Sequence, residues 1–151
     1  MEASTELLFL GKIVIAALFG GLVGLEREFR EKPAGLRTHM LVCATSSFFV
    51  MLTDLMVATF EPQGLISTDP IRLIEAIVVG ISFLGAGTIL KYNYEKTVEG
   101  LTTSASILSV AAIGIAVALN AFILAIGVTL LNLLINWGIY YLEKRTISTT
   151  E

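Results

Sequence analysis

The sequence predicts an all-α integral membrane fold, a bundle of five transmembrane helices with the N-terminus outside and the C-terminus in the cytoplasm. Three observations carry that expectation. Hydrophobic residues make up 55% of the 151 and charged residues 15%, with mean hydropathy +0.82, whereas a soluble domain carries about 25% charge. The charges are bunched, leaving stretches of about 20 residues almost free of them, the length that spans a hydrocarbon core. A dense polar insert, Gly24-Leu-Glu-Arg-Glu-Phe-Arg-Glu-Lys-Pro-Ala-Gly-Leu-Arg-Thr-His39, separates two apolar runs and holds four of the ten basic residues and the only histidine.

The spans follow in order. Leu7–Leu25 is the first, with Lys12 inside it, and His39–Phe60 the second, with Asp54 inside it. Ile71–Leu90 is the third, carrying Arg72 and Glu75 near its start. From Leu101 to Leu142 there is no charge at all, too long a run for one span, and Asn120 interrupts it. That run reads as a tight hairpin of Leu101–Leu119 and Ala121–Leu142. Lipid offers backbone polar groups no partner, so helices are the economical choice for runs this long. Residues 1–151 form one transmembrane domain, with no soluble domain expected after the last helix and no cleavable signal in the acidic Met1–Glu6 segment.

Basic residues orient the bundle. Arg27, Arg30, Lys32 and Arg37 share one loop, two more lie in 91–99, and Lys144 and Arg145 follow the last span, leaving only Lys12 and Arg72 on the other side. The positive-inside rule then gives N-out and C-in. Tyr92, Tyr94, Tyr140, Tyr141 and Trp137 fall at the inner boundary as an aromatic belt.

The insert ends in Gly35-Leu-Arg-Thr38, echoed 65 residues later by Gly100-Leu-Thr-Thr103. The same shift places Gly20 on Gly85 and Leu25 on Leu90. Both units read span, polar loop, Gly-Leu-x-Thr, span. The expectation is a parallel repeat of two helical hairpins plus a fifth helix, as occurs in some transporters. Chance likeness between two glycine-rich hairpins is the alternative.

Candidate residues fall into groups. Thr38, and Thr102 or Thr103, are expected to cap the first turns of their helices, with Gly100 setting the steep entry. Arg37 opposes the positive end of its helix, so a cytoplasmic charge network of Glu26, Arg27, Glu28, Arg37, Thr38 and His39 is expected, with Glu26 or Glu28 pairing Arg37. The alternative is a solvated basic loop. Glu26 and Glu28 are the weak metal candidates, since Mg²⁺ takes carboxylate oxygens, but their spacing matches no dedicated motif and no cofactor is expected. A second cluster, Lys12, Asp54, Asp69, Arg72 and Glu75, maps to the outer side, with Lys12–Asp54 or Lys12–Glu75 as a neutralising pair. Such groups mark pathways or serve as ion-paired glue. Gly20, Gly24, Gly85 and Gly87 favour close helix packing, within the chain first and in a homo-oligomer second. Asn132 and Asn136 can hydrogen-bond across a helix interface. Cys43 reads as a small packing residue. No nucleophile–base set or phosphate loop points to catalysis, and no basic soluble surface points to nucleic acid.

Several ordered motifs resemble the MgtC/SapB family of bacterial and archaeal membrane proteins: Gly24-Leu-Glu-Arg-Glu28, Pro33-Ala-Gly-Leu-Arg-Thr-His39, Asp69-Pro-Ile-Arg72, Gly80-Ile-Ser-Phe-Leu-Gly-Ala-Gly87, and Val98-Glu-Gly-Leu-Thr-Thr-Ser-Ala-Ser-Ile107 with Ala111-Ala-Ile-Gly114. Ser82 stands where the family commonly has glycine, and Ala76 where glutamine is common. The resemblance is to the short, membrane-only form. It implies an inner-membrane protein linked to growth under magnesium limitation and, in pathogens, to survival inside host cells. It also implies a regulatory mode in which the protein binds another membrane complex, such as the F-type ATP synthase. Two function classes follow: a non-enzymatic regulator acting through helix contacts, and a small Mg²⁺ or other ion transporter lined by the intramembrane charges.

Overall fold

A computed structural model describes residues 3–60, 69–91 and 98–147. Five helices follow one another: α1 (Ala3–Phe29), α2 (Leu36–Phe60), α3 (Pro70–Thr88), α4 (Leu101–Ala118) and α5 (Phe122–Ile147). Between α3 and α4 lies a minimal antiparallel ladder, β1 (Leu90–Lys91) and β2 (Val98–Glu99), pairing Leu90 with Glu99 and Lys91 with Val98. The sequence reading had a plain loop there. Among the described residues, α1, α2, α3 and α4 are long and apolar enough to cross a membrane, and the apolar part of α5 is Phe122–Gly138. The chain is a multi-pass membrane protein.

The helices run past the apolar limits where polar residues have a local reason to be helical. α1 continues to Phe29, more than a turn beyond Leu25. It closes in a Schellman motif: Lys32 N–H donates to Arg27 O at 3.1 Å and Glu31 N–H to Glu28 O at 3.0 Å, with Glu31 at φ 53°. α4 ends the same way. Asn120 sits at φ 60°, its N–H donates to Val117 O at 3.1 Å, and Ala121 N–H donates to Ala116 O at 2.8 Å. Asparagine tolerates this left-handed position better than most residues with a Cβ, so Asn120 is the punctuation that turns one uncharged run into two helices. α3 starts from Asp69, which accepts from Ile71 N–H at 3.0 Å with Pro70 at the first helical position.

α4 is the hub, touching each of the other four helices. Half of its apolar window is buried, against 11% for α3. Lipid is as apolar as leucine, so burial here goes to small and well-fitting side chains rather than to the most hydrophobic ones. One core cluster joins Ala16 and Val23 of α1, Val42 and Cys43 of α2, Ile107, Val110, Ala111, Ile113 and Val117 of α4, and Ala125 of α5. A second, near the far end, joins Val50, Met51, Ile77, Ile115 and Ala118. A Cβ on Gly114 would strike the Cys43 carbonyl, so α2 and α4 touch backbone to backbone. Leu and Phe residues such as Leu18, Phe83 and Leu134 face outward, as a lipid-solvated bundle requires.

Candidate functional site

The buried carboxylate, guanidinium and imidazole side chains among the described residues, Glu26, Arg27 and His39, all lie at one end of the bundle, where α1 ends and α2 and α4 begin. Arg27 occupies the last turn of α1, where its charge suits the negative helix end. It is 4% exposed, and its Nη2 donates to Thr103 Oγ1 on the first turn of α4 at 2.9 Å. Its Nε has no aligned acceptor. Glu26, 8% exposed, stands 2.6 Å from Arg30 Nε in an i, i+4 ion pair. That contact is close in distance without hydrogen-bond alignment, and neither Glu26 oxygen has an aligned donor. The pair places a negative charge beside buried Arg27.

His39 is fully buried on the second turn of α2. Its Nδ1 lies 2.9 Å from Gly35 O and its Nε2 2.8 Å from Ser106 Oγ. A carbonyl only accepts, so Nδ1 carries the proton, and in the neutral ring Nε2 accepts from the serine hydroxyl; this tautomer is assigned from the network. Both ring nitrogens are thereby engaged by protein, leaving none for a metal. The imidazole fits because Gly24 packs against it: an added Cβ at 24 would lie 2.8 Å from His39 Cβ and 2.8 Å from Leu36 Cα.

The structure divides the expected charge network differently from the sequence reading. Arg27 is the buried cation, whereas Arg37 stands exposed and paired with neither Glu26 nor Glu28. Glu28 Oε2 instead accepts from Leu36 N–H at 2.7 Å, so a glutamate rather than a threonine serves the start of α2. Thr38 and Thr102 are exposed, no side chain caps α4 at Gly100, and Thr103 is taken by Arg27. The cap reading fails because α2 and α4 start two or three residues earlier than it needs. Gly100, at φ 93°, passes so close to Thr88 O that only glycine fits. Glu26 and Glu28 serve separate tasks, and among the described residues no group of three or more His, Cys, Asp or Glu could hold a metal.

At the other end the expected cluster disperses. Lys12 Nζ donates to Ala118 O at 3.2 Å and lies 5.9 Å from the Phe9 ring centroid. Its partner is thus the carbonyl end of α4, not Asp54 or Glu75. Asp69 caps α3, while Asp54, Arg72 and Glu75 are exposed. Asn132 Nδ2 reaches Ser109 Oγ of α4 at 2.7 Å and Val128 O at 2.8 Å; Asn136, one turn on, is half-buried. Gly20 packs on the His39 backbone and Gly85 on Ser104, whereas a side chain at Gly87 would meet open space. Ser106 was not singled out from sequence; the Thr-Thr-Ser-Ala-Ser run after Gly100 was the available signal.

Comparison with known proteins finds that the MgtC family model matches residues 13–145. The chain is similar to YhiD of Escherichia coli K12, named as a candidate magnesium transporter, with 35% identity over 127 residues, 84% of this chain and 58% of that protein. It is 38% identical to Protein SapB of Bacillus subtilis strain 168 over 105 residues, 70% of this chain and 45% of that one. It is 42% identical to Protein MgtC of Brucella abortus strain 2308 over 100 residues, 66% and 38% respectively. The chain spans about half the length of the curated relatives it matches. No solved structure matches it.

Proposed function

The chain belongs to the MgtC family, and from that premise we propose that it is a non-enzymatic protein of the cytoplasmic membrane, linked to magnesium homeostasis, that regulates another membrane complex through helix contacts. The observation that carries this reading is the distribution of charge. Glu26, Arg27 and His39 are buried at one end, and Lys12 is half-buried at the other. The α4 layer between them is filled by Ile107, Val110, Ala111, Ile113 and Val117. Ionisable groups inside the membrane mark a conduction path, whereas charged ties confined to the ends hold helices in place and leave outer helix faces available. The polar groups buried between them, Ser46, Ser47, Thr129 and the Asn132–Ser109 tie, are uncharged. Five helices crossing N-out and C-in agree with the basic residues on the side of Arg27 and Arg30. The complex regulated is of the kind that the family resemblance suggests, such as an F-type ATP synthase.

Internal duplication is part of the same proposal. The 65-residue shift takes the start of α2, Leu36, to the start of α4, Leu101. It takes the Gly20–His39 contact to Gly85–Ser104, and the Gly24–Gly35 approach to Ile89–Gly100. The His39 N–H bond to Gly35 O at 3.2 Å becomes Ser104 N–H to Gly100 O at 2.8 Å. Matching contacts on both sides of the polar loops support two copies of one hairpin.

The rival reading, ion transport, draws on the name of YhiD. Flux assays on purified protein in proteoliposomes separate the two. Regulation predicts no Mg²⁺ flux from folded protein, and flux abolished by Asp54→Asn, Glu75→Gln or Arg37→Ala would overturn it.

A further inference from the structure

The two hairpins are equivalent in their internal contacts but not in how each first helix meets the other unit. α1 packs along α4, with Ala16 and Val23 buried against Val110, Ala111 and Val117 and with Arg27 tied to Thr103. Under the 65-residue shift, the same seam in the other half lies between α3 and α2. There the helices barely touch. They leave a groove of about 420 Å³ lined by Thr45, Ser46 and Phe49 of α2 and by Ile77, Gly80 and Ile81 of α3, among others.

Part of the groove lining is the counterpart of a closed seam. Thr45 and Ser46 map onto Val110 and Ala111, both buried, and Ile81 maps onto Ala16, also buried. Yet Thr45 and Phe49 are exposed, Gly80 has open space where a side chain would stand, and Leu84 is 54% exposed. What holds α1 against α4 has no equivalent on α3. Lys12, which grips the end of α4, becomes Ile77, and the helix that carries Arg27 at its far end is matched by one that stops at Thr88. One hairpin is therefore locked to its neighbour and the other is held chiefly by its own partner α4, through Gly85 and Ser104.

We infer that α3 is a movable wall: it swings between the open position and a closed one, in which it packs along α2 as α1 packs along α4 and the groove disappears. Closure buries Thr45, Ile81 and Leu84, the counterparts of Val110, Ala16 and Phe19, and changes the face that this half of the bundle presents to a neighbouring helix or to lipid. The inference rests on the duplication proposed above and not on the magnesium or transport readings.

Double electron–electron resonance on the full chain in proteoliposomes tests it. Spin labels at Leu41→Cys on α2 and Val79→Cys on α3 occupy exposed positions, and native Cys43 is buried away from reagent. Two distance populations are expected, one shorter than the open structure gives. Gly80→Trp wedges the groove and should eliminate the shorter one; its site has room, so folding is preserved. Thr45→Trp is a second wedge from the opposite wall. A single distance equal to the open spacing, unchanged by either wedge, would overturn the proposal, as would a shorter population that survives both. Failure of the duplication itself is read separately: labels at Leu18→Cys with Arg37→Cys and at their counterparts Phe83→Cys with Thr102→Cys, all exposed positions, should give equal distances, and unequal ones would remove that premise.

Discussion

Arg27 and Thr103, 76 positions apart in the chain, form a buried 2.9 Å hydrogen bond that ties the last turn of α1 to the first turn of α4. A cation with so little exposure is held in place only by its partners. Removing one partner leaves the charge to bear its full desolvation penalty, and hydrogen bonds to charged groups contribute about 1.5–3 kcal/mol. Thr103→Val is therefore expected to lower stability by about 2 kcal/mol. Thr103→Ser should retain most of it. Thermal unfolding in detergent measures both, and a double-mutant cycle with Arg27→Met isolates the coupling. Additivity of the two single changes would show that the bond contributes nothing.

His39 and Ser106 make the second tie between the hairpins. Ser106→Ala removes the hydroxyl but leaves the imidazole buried with one nitrogen unsatisfied, at an expected cost of about 1–3 kcal/mol. His39→Phe, which removes the polar group, should cost more through loss of the Gly35 contact and through its bulk against Gly24. If Ser106→Ala unfolds at the wild-type temperature, the tie is structural decoration.

Glycine to alanine in a helix usually stabilises by about 0.8–1.0 kcal/mol. Gly87 and Gly127 have open space at the Cβ position and should follow that rule. Gly114 should reverse it, because its Cβ would strike the Cys43 carbonyl, and overpacking of this kind costs about 1–3 kcal/mol. Opposite signs for Gly114→Ala and Gly127→Ala in the same unfolding assay are the expected result. Equal effects would mean that α2 and α4 do not approach so closely.

Asn120 and Glu31 hold left-handed backbone at the two Schellman closures. Asn120→Gly should leave stability unchanged or raised, whereas Asn120→Val should lower it by about 1–2 kcal/mol. Glu31→Gly should stabilise, since glutamate is a poorer fit than glycine at such a position. Unfolding midpoints of the three variants check the sign of each.

Much of the architecture was legible because it rests on apolar length. Five helices appear where five uncharged or nearly uncharged runs stand, and Asn120 marked its turn. Boundaries at polar ends were not legible, since Glu26 to Phe29 continue α1 through ion pairing and capping that no hydropathy window contains. The charged end was read with both Arg27 and Arg37 in it, but the pairing was put on Arg37, whereas Arg27 is the buried cation. The positive-inside rule counts Arg27 and Arg37 alike, and only the rotation of α1 about its axis decides that Arg27 turns inward toward Thr103. Ser106 was missed for the same reason: its role depends on which α4 face meets His39. Lys12 found a helix end in place of a carboxylate, because backbone carbonyls leave no mark in a sequence.

The central claim is that this protein acts through its helix surfaces and conducts no ion. Mg²⁺ uptake into proteoliposomes holding purified, monodisperse protein tests that most directly, with an ion-sensitive dye inside and empty vesicles as reference. The account predicts uptake equal to that of empty vesicles for wild type, Asp54→Asn and Glu75→Gln alike. Uptake well above the reference that Asp54→Asn or Glu75→Gln abolishes would contradict it.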